Sequence, residues 1–233
     1  MSSNFARQVL ITGGNRGIGL AISKGLLDRG HDIIVTSRSL ETATQAAEKL
    51  GERATALELD VSNEESIRQA MATLHQITER LDGLVNNAGI YPDDGIDILT
   101  VSRPLLDRAM QTNAFGAIRM VQECLPLLER STDARVVNVS SGYGSLNGLS
   151  AGVPSYCLSK LALNGATIML AQALESKGIT VNAIDPGWVR TDMGGTSAPR
   201  SPEEGADTAI WLATEASNQQ TGKLWRDRQA VAF

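Results

Sequence analysis

Short runs of apolar, largely β-branched residues alternate along this chain with longer stretches whose apolar positions recur three and four apart. The runs are QVLIT (8–12), DIIVTS (32–37), ATALELDV (54–61), GLVNNA (83–88), RVVNVSS (135–141) and ITVNAI (179–184). Their length and composition suit strands, and the intervening Ala-, Leu-, Glu-, Gln- and Arg-rich stretches have the helical period. This order predicts an α/β fold, a doubly wound parallel sheet of about seven strands with helices on both faces. SNEE (62–65) and SPEE (201–204) each place a Glu three residues after a capping Ser, and Pro202 takes a first helical position. Gly, Pro and Ser clusters fall at strand ends, and no repeat or linker interrupts the pattern. The 233 residues are therefore expected to form one domain.

The first predicted strand runs into TGGNRGIGLAI (12–22), with Gly13, Gly17 and Gly19 ahead of a helical pattern. Glycines there let the chain turn tightly and bring a pyrophosphate onto the amides and positive dipole of a helix start. With a strand before and a helix after, the loop predicts a Rossmann-type dinucleotide site. Residues 1–135 then form the dinucleotide-binding half and 136–233 the catalytic and substrate-binding half. An NAD-preferring site carries an acid at the end of the second strand, where this chain has Ser37 and Arg38. A guanidinium favours a 2'-phosphate, and Arg16 in the glycine loop offers a second positive group, so the expected cofactor is NADP(H).

Further motifs follow in order: DV (Asp60, Val61), NNAG (86–89), Asn113 in MQTNAFG, VNVSS (137–141), YCLSK (156–160) and DPGWVRTDM (185–193). Together with the glycine loop, this set resembles the short-chain dehydrogenase/reductase family across essentially the whole chain. The C-terminal part is most similar to the carbonyl reductase branch. The resemblance implies a catalytic tetrad of Asn113, Ser141, Tyr156 and Lys160. It further implies cofactor contacts from Gly13, Asn15, Arg16, Gly17, Ile18 and Gly19, from Ser37 and Arg38, and from Asp60 and Val61 at the adenine. Asn87, Ala88 and Gly89 would line the cleft, Lys160 would meet the nicotinamide ribose, Thr191 would hold the nicotinamide carboxamide, and Tyr156, Pro186, Gly187 and Val189 would add further cofactor contacts. Ser140 remains the alternative to Ser141, because adjacent strand residues face opposite sides.

The residues suit that chemistry. Reducing a carbonyl by hydride transfer builds negative charge on oxygen, which a proton donor and a second hydrogen-bond donor stabilise. Tyr156 and Lys160 lie one helical turn apart on a shared face, where an ammonium and the positive charge of an oxidised nicotinamide favour the phenolate. By the resemblance, Asn113 holds a water between the lysine and solvent. The expected activity is NADPH-dependent reduction of small aldehydes or ketones. The alternatives are a reductase or alcohol dehydrogenase for one biosynthetic metabolite, and a non-catalytic NADP(H) sensor.

GLSAG (148–152) imitates a hydrolase nucleophile elbow at Ser150, but both histidines, His31 and His75, precede it, and that mechanism needs one after it. The long insertion that precedes the tyrosine in monomeric carbonyl reductases is missing, which favours a homodimer or homotetramer. MGGTSAPRS (193–201) predicts a small mobile lid over a pocket lined by Tyr91, Tyr143, Leu149 and Trp188. A net charge of −5 argues against nucleic acid. No segment reads as a signal peptide or a membrane span, and Cys124 and Cys157 lack metal-ligand spacing. A cytoplasmic, metal-free enzyme without a membrane partner is expected.

Overall fold

The computed structural model describes residues 6–233; the polar start, 1–5, lies outside the described residues. Among the described residues, eight strands form one sheet in the order β3-β2-β1-β4-β5-β6-β7-β8. They are β1 (Gln8–Ile11), β2 (Asp32–Ser37), β3 (Ala54–Glu58), β4 (Gly83–Asn86), β5 (Arg135–Val139), β6 (Thr180–Ile184), β7 (Leu224–Arg226) and β8 (Gln229–Val231). The first seven run parallel, as expected, and β8 adds an antiparallel edge through a hairpin. This hairpin left no pattern in the sequence. Its strands have three residues each, and its turn is made by Asp227 and Arg228 at φ 49° and 60° rather than by the Asn-Gly pair such turns prefer.

Side chains alternate across the sheet, so each strand feeds two cores. Leu10, Ile34, Leu84 and Val136 pack under α3 (Glu64–Ile77), α5 (Gly116–Leu128) and the end of α6 (Pro154–Leu174). Val9, Ile11, Ile33, Val85 and Val137 pack under α1 (Gly17–Leu27) and α7 (Pro202–Thr214). The remaining helices are α2 (Leu40–Leu50), behind Val35, and α4 (Arg103–Met110). Burial on both faces explains why the central strands read as continuous apolar runs. A buried polar chain crosses from Asn86 to the Asn138 Oδ1 at 2.9 Å, and from Asn138 to the Thr167 hydroxyl at 2.9 Å, fixing α6 against β4 and β5.

Two expectations change. The capping box at Ser201 and Glu204 forms as written, but α3 is capped by Asn63, whose side chain accepts from the Ser66 amide. Ser62 instead donates to Asp60 Oδ1 at 2.6 Å, and its amide bonds the same oxygen, an Asx turn that takes Ser62 out of the cap position. Finally, residues 154–177 do reach the length and apolarity of a membrane span. Half of that window is buried within the protein, where α6 meets the sheet with Lys160, Asn164 and Thr167 among its covered residues.

Candidate active site

The chain leaves β1 toward β2 and β3 and returns to β4 on the other side, so the loops after β1 and β4 open a crevice at this switch point. Gly13 and Gly17 take positive φ in the first loop, at 63° and 54°. A Cβ on Gly19 would lie 2.4 Å from the Gly13 carbonyl oxygen and from Asn87 Nδ2, so only glycine lets the helix start so close to the β4 loop. The α1 start has no side-chain cap and no acid in its first turn, which leaves its amides free for an anion. Asn87 and Ala88 donate their amides to the Thr12 hydroxyl at 3.0 Å, and Asn87 Nδ2 donates to the Thr12 and Gly13 carbonyls. Thr12 is thus a site residue the motif reading missed. Gly89 completes this wall beside Asn113 and Lys160.

At the end of β2, the Ser37 and Thr42 hydroxyls bond at 2.6 Å, and Arg38 is exposed with no ion pair among the described residues. Arg16 differs from expectation: it crosses the cleft to an ion pair with Asp192. Both side chains are largely exposed, so the pair is weak and exchangeable. Thr191, next to Asp192, lies against Gly17, and Pro186, Gly187 and Val189 lead into that segment. Asn15 and Ile18 are half-buried in the glycine loop, Val61 is buried, and Asp60 is held in its Asx turn.

Tyr156 and Lys160 share the inner face of α6, with the ammonium 5.6 Å from the phenol ring centre. Both residues are buried, and Lys160 Nζ donates to the Val139 carbonyl at 2.7 Å. Burial pushes the lysine down to about 8. Burial also raises the Tyr156 phenol above its ordinary value, against the lowering effect of the Ser141 hydroxyl. Desolvation outweighs the hydrogen bond from Ser141, so the phenol of the free protein keeps its proton. A phenol that keeps its proton is suited to donation.

Ser141 is the serine that faces the phenol. Its oxygen accepts from the Tyr143 amide at 3.1 Å, which leaves its own proton free. Ser140 is buried and turned toward the Lys160 carbonyl, as strand alternation requires. Asn113 sits in a π-helical turn, Gln111–Phe115, between α4 and α5. Such a turn inside a helix marks a site where side-chain direction outranks regular bonding. Its side chain accepts from the Ile90 amide at 2.8 Å and donates to the Ile90 carbonyl and the Ser159 hydroxyl, each at 2.9 Å.

Tyr91 and Tyr143 set their rings edge-on to Tyr156, at 4.8 Å and 6.2 Å between centres. Leu149 and Trp188 are exposed. The segment expected to be a mobile lid is tied at its base: Val189 pairs with Arg200, Arg190 donates to the Ala198 and Pro199 carbonyls, and the Trp188 indole donates to the Gly194 carbonyl. Closed ends make it a compact loop. Asp185, which opens the DPGWVRTDM motif and had no role assigned there, is buried beside Gly142 and paired with Arg226 at 3.2 Å. Ser150 belongs to the loop before α6, and its amide donates to Cys157 Sγ, which gives that thiol a tethering role. Burial raises the Cys157 thiol, so it is no nucleophile at neutral pH.

A family model described as short chain dehydrogenase matches residues 7–201. The chain belongs to that family of nicotinamide-dependent oxidoreductases. It is 32% identical to the 3-oxoacyl-acyl-carrier-protein reductase FabG of Aquifex aeolicus, over 92% of this chain and 93% of the relative. Among solved structures it is similar to the carbonyl reductase Sniffer of D. melanogaster, with a TM-score of 0.89, 31% identity, and coverage of 98% of this chain and 100% of the other. It is also similar to an NADPH-bound carbonyl reductase from chicken fatty liver, with a TM-score of 0.88, 27% identity, and coverage of 98% and 99%.

Proposed function

We propose that this oxidoreductase uses NADPH to reduce small, uncharged aldehydes or ketones, with Tyr156 as proton donor. The observation that carries the reading is a buried phenol faced by Ser141 and one helical turn from Lys160, beside a glycine-cradled crevice. Uncapped amides at the start of α1 fit a pyrophosphate held by Gly13, Asn15, Gly17, Ile18 and Gly19. Ser37 and Arg38 suit the 2'-phosphate, and Arg16 joins them by exchanging Asp192 for phosphate. Asp60 and Val61 take the adenine, and Asn87, Ala88 and Gly89 form the cleft wall. Lys160 and Tyr156 take the nicotinamide ribose, and Pro186, Gly187, Val189 and Thr191 take the nicotinamide. When bound, the reduced nicotinamide supplies the hydride for the carbonyl carbon.

The chain's own residues do the rest. Ser141 directs its free proton to the carbonyl oxygen and Tyr156 delivers the proton that completes the alcohol. Lys160, fixed on the Val139 carbonyl, keeps its charge beside the phenol as the proton leaves. Asn113 holds the Ile90 backbone and the α6 side of the site in register. A sensor needs no such assembly.

Lys160 predicts the pH dependence. Its charge is lost as pH rises through about 8. Because kcat/KM for NADPH reports the free enzyme, that parameter is expected to be flat below about pH 7 and to fall above about pH 8. A profile level to about pH 10 would contradict the lysine's role.

One second reading has support, since the Aquifex relative is named for a 3-oxoacyl carrier substrate. Against it, Tyr91, packed on Tyr156, brings the exposed Asp94 carboxylate to the edge of the site, where it repels an anionic carrier. The face of α6 that leaves Leu158, Gly165 and Met169 exposed suits packing on a second copy in a homo-oligomer. The test of substrate class is nicotinamide absorbance during turnover of small aldehydes, diketones and quinones beside 3-oxoacyl thioesters. The reading expects the neutral carbonyls to be reduced with the higher kcat/KM; faster thioester reduction would overturn it.

A further inference from the structure

α6 carries both Tyr156 and Lys160, yet it does not cap itself. Val153, just before Pro154, contributes no side-chain hydrogen bond to the helix start, so the first amides need acceptors from elsewhere. One comes from 62 residues away: Asp93, fully buried, accepts from the Ser155 amide at 2.5 Å. A carboxyl group suits the positive end of the helix. It is nonetheless a costly cap. The other Asp93 oxygen and the Ser155 hydroxyl are both buried without a partner among the described residues, and half-satisfied buried polar groups lower stability. A Ser or Thr at position 153 would cap locally without that cost. Helix stability alone does not account for Asp93.

What Asp93 also fixes is the loop after β4. Asn113 clamps both backbone atoms of Ile90, and Asp93 pins the same loop three residues later. Between the two pins lies Tyr91, its ring 4.8 Å from that of Tyr156 and inclined at 76°. The Tyr91 hydroxyl donates to Asp94 at 3.4 Å, which turns its polar end away from the phenol contact.

We propose that Asp93 is a positioning residue of the active site. By tying the β4–α4 loop to the first turn of α6, it holds Tyr91 edge-on to Tyr156 and so sets one wall of the space where a carbonyl meets the phenol. The kinetic part rests on the reading of Tyr156 as proton donor; the structural tie does not.

The test compares Asp93→Ala, Asp93→Asn, Tyr91→Ala and the double variant Asp93→Ala with Tyr91→Ala. Hydrogen exchange, which needs no activity, is expected to speed up in 90–97 and at Ser155 and Tyr156 in Asp93→Ala, with the central strands unchanged. On the best carbonyl substrate, kcat/KM is expected to fall about tenfold in Asp93→Ala while the NADPH dissociation constant stays within about twofold. Asp93→Asn keeps an acceptor at the same reach and is expected to restore kcat/KM to within about threefold of wild type. In the Tyr91→Ala background, Asp93→Ala is expected to cost less than about twofold more, because its target is gone. Full additivity, failure of Asn to rescue, or unchanged exchange each overturns the proposal. Should Asp93→Ala not fold, Asp93→Glu, which overreaches by one methylene, carries the same kinetic expectation. If wild type reduces no carbonyl, the donor reading fails first, and the exchange result still decides the tie.

Discussion

Tyr156→Phe is expected to lower kcat for carbonyl reduction by about 10²- to 10⁴-fold, the range a positioned general acid contributes. The substitution removes one oxygen and keeps the ring, so the edge contacts with Tyr91 and Tyr143 survive and the fold has no reason to change. Tyr156→Phe gives up one contact with the nicotinamide ribose while the glycine loop, Arg38, Thr191 and Lys160 keep theirs, so NADPH binding should weaken by no more than about tenfold, about 1.4 kcal/mol. Ser141 cannot replace the phenol. A serine hydroxyl is a far weaker acid than a phenol. Steady-state rates and fluorescence titration of NADPH check both halves of the expectation.

The second large effect belongs to Arg38→Asp. Arg38 is exposed at the end of β2 with no ion pair among the described residues, so its replacement disturbs no packing. A carboxylate there repels a 2'-phosphate and accepts from ribose hydroxyls, reversing both terms of the preference. Charge-assisted hydrogen bonds are worth about 1.5–3 kcal/mol, so the NADPH-to-NADH ratio of kcat/KM should fall about 100-fold. Arg16 tempers the change, because it is available to the phosphate only when it leaves Asp192. An unchanged ratio would move the cofactor choice to other residues.

How much of this was legible in the sequence follows physical lines. The central strands were, because burial on both faces writes a continuous apolar run. The glycine loop and the Tyr156–Lys160 pair were, because backbone approach and helical spacing are local constraints. The β7–β8 hairpin was not, since strands of three residues have no room for a period. Thr12 and Asp93 escaped because their partners are 75 and 62 residues away, and one polar side chain leaves no periodic trace. The depth of burial of the pair escaped for a related reason: spacing places a lysine near a tyrosine, but only packing decides how completely both are desolvated. Arg16 shows the same limit, as its charge was readable and its partner across the cleft was not.

The central claim, that hydride and proton transfer to a carbonyl occurs at Tyr156, is tested most directly by a single turnover. Wild type and Tyr156→Phe, each preloaded with NADPH, are mixed rapidly with the best carbonyl substrate while nicotinamide absorbance is followed. The account predicts a fast loss of the bound reduced cofactor in wild type and, in the variant, the same starting absorbance with oxidation slowed at least about 100-fold. Equal rates in the two proteins would contradict it.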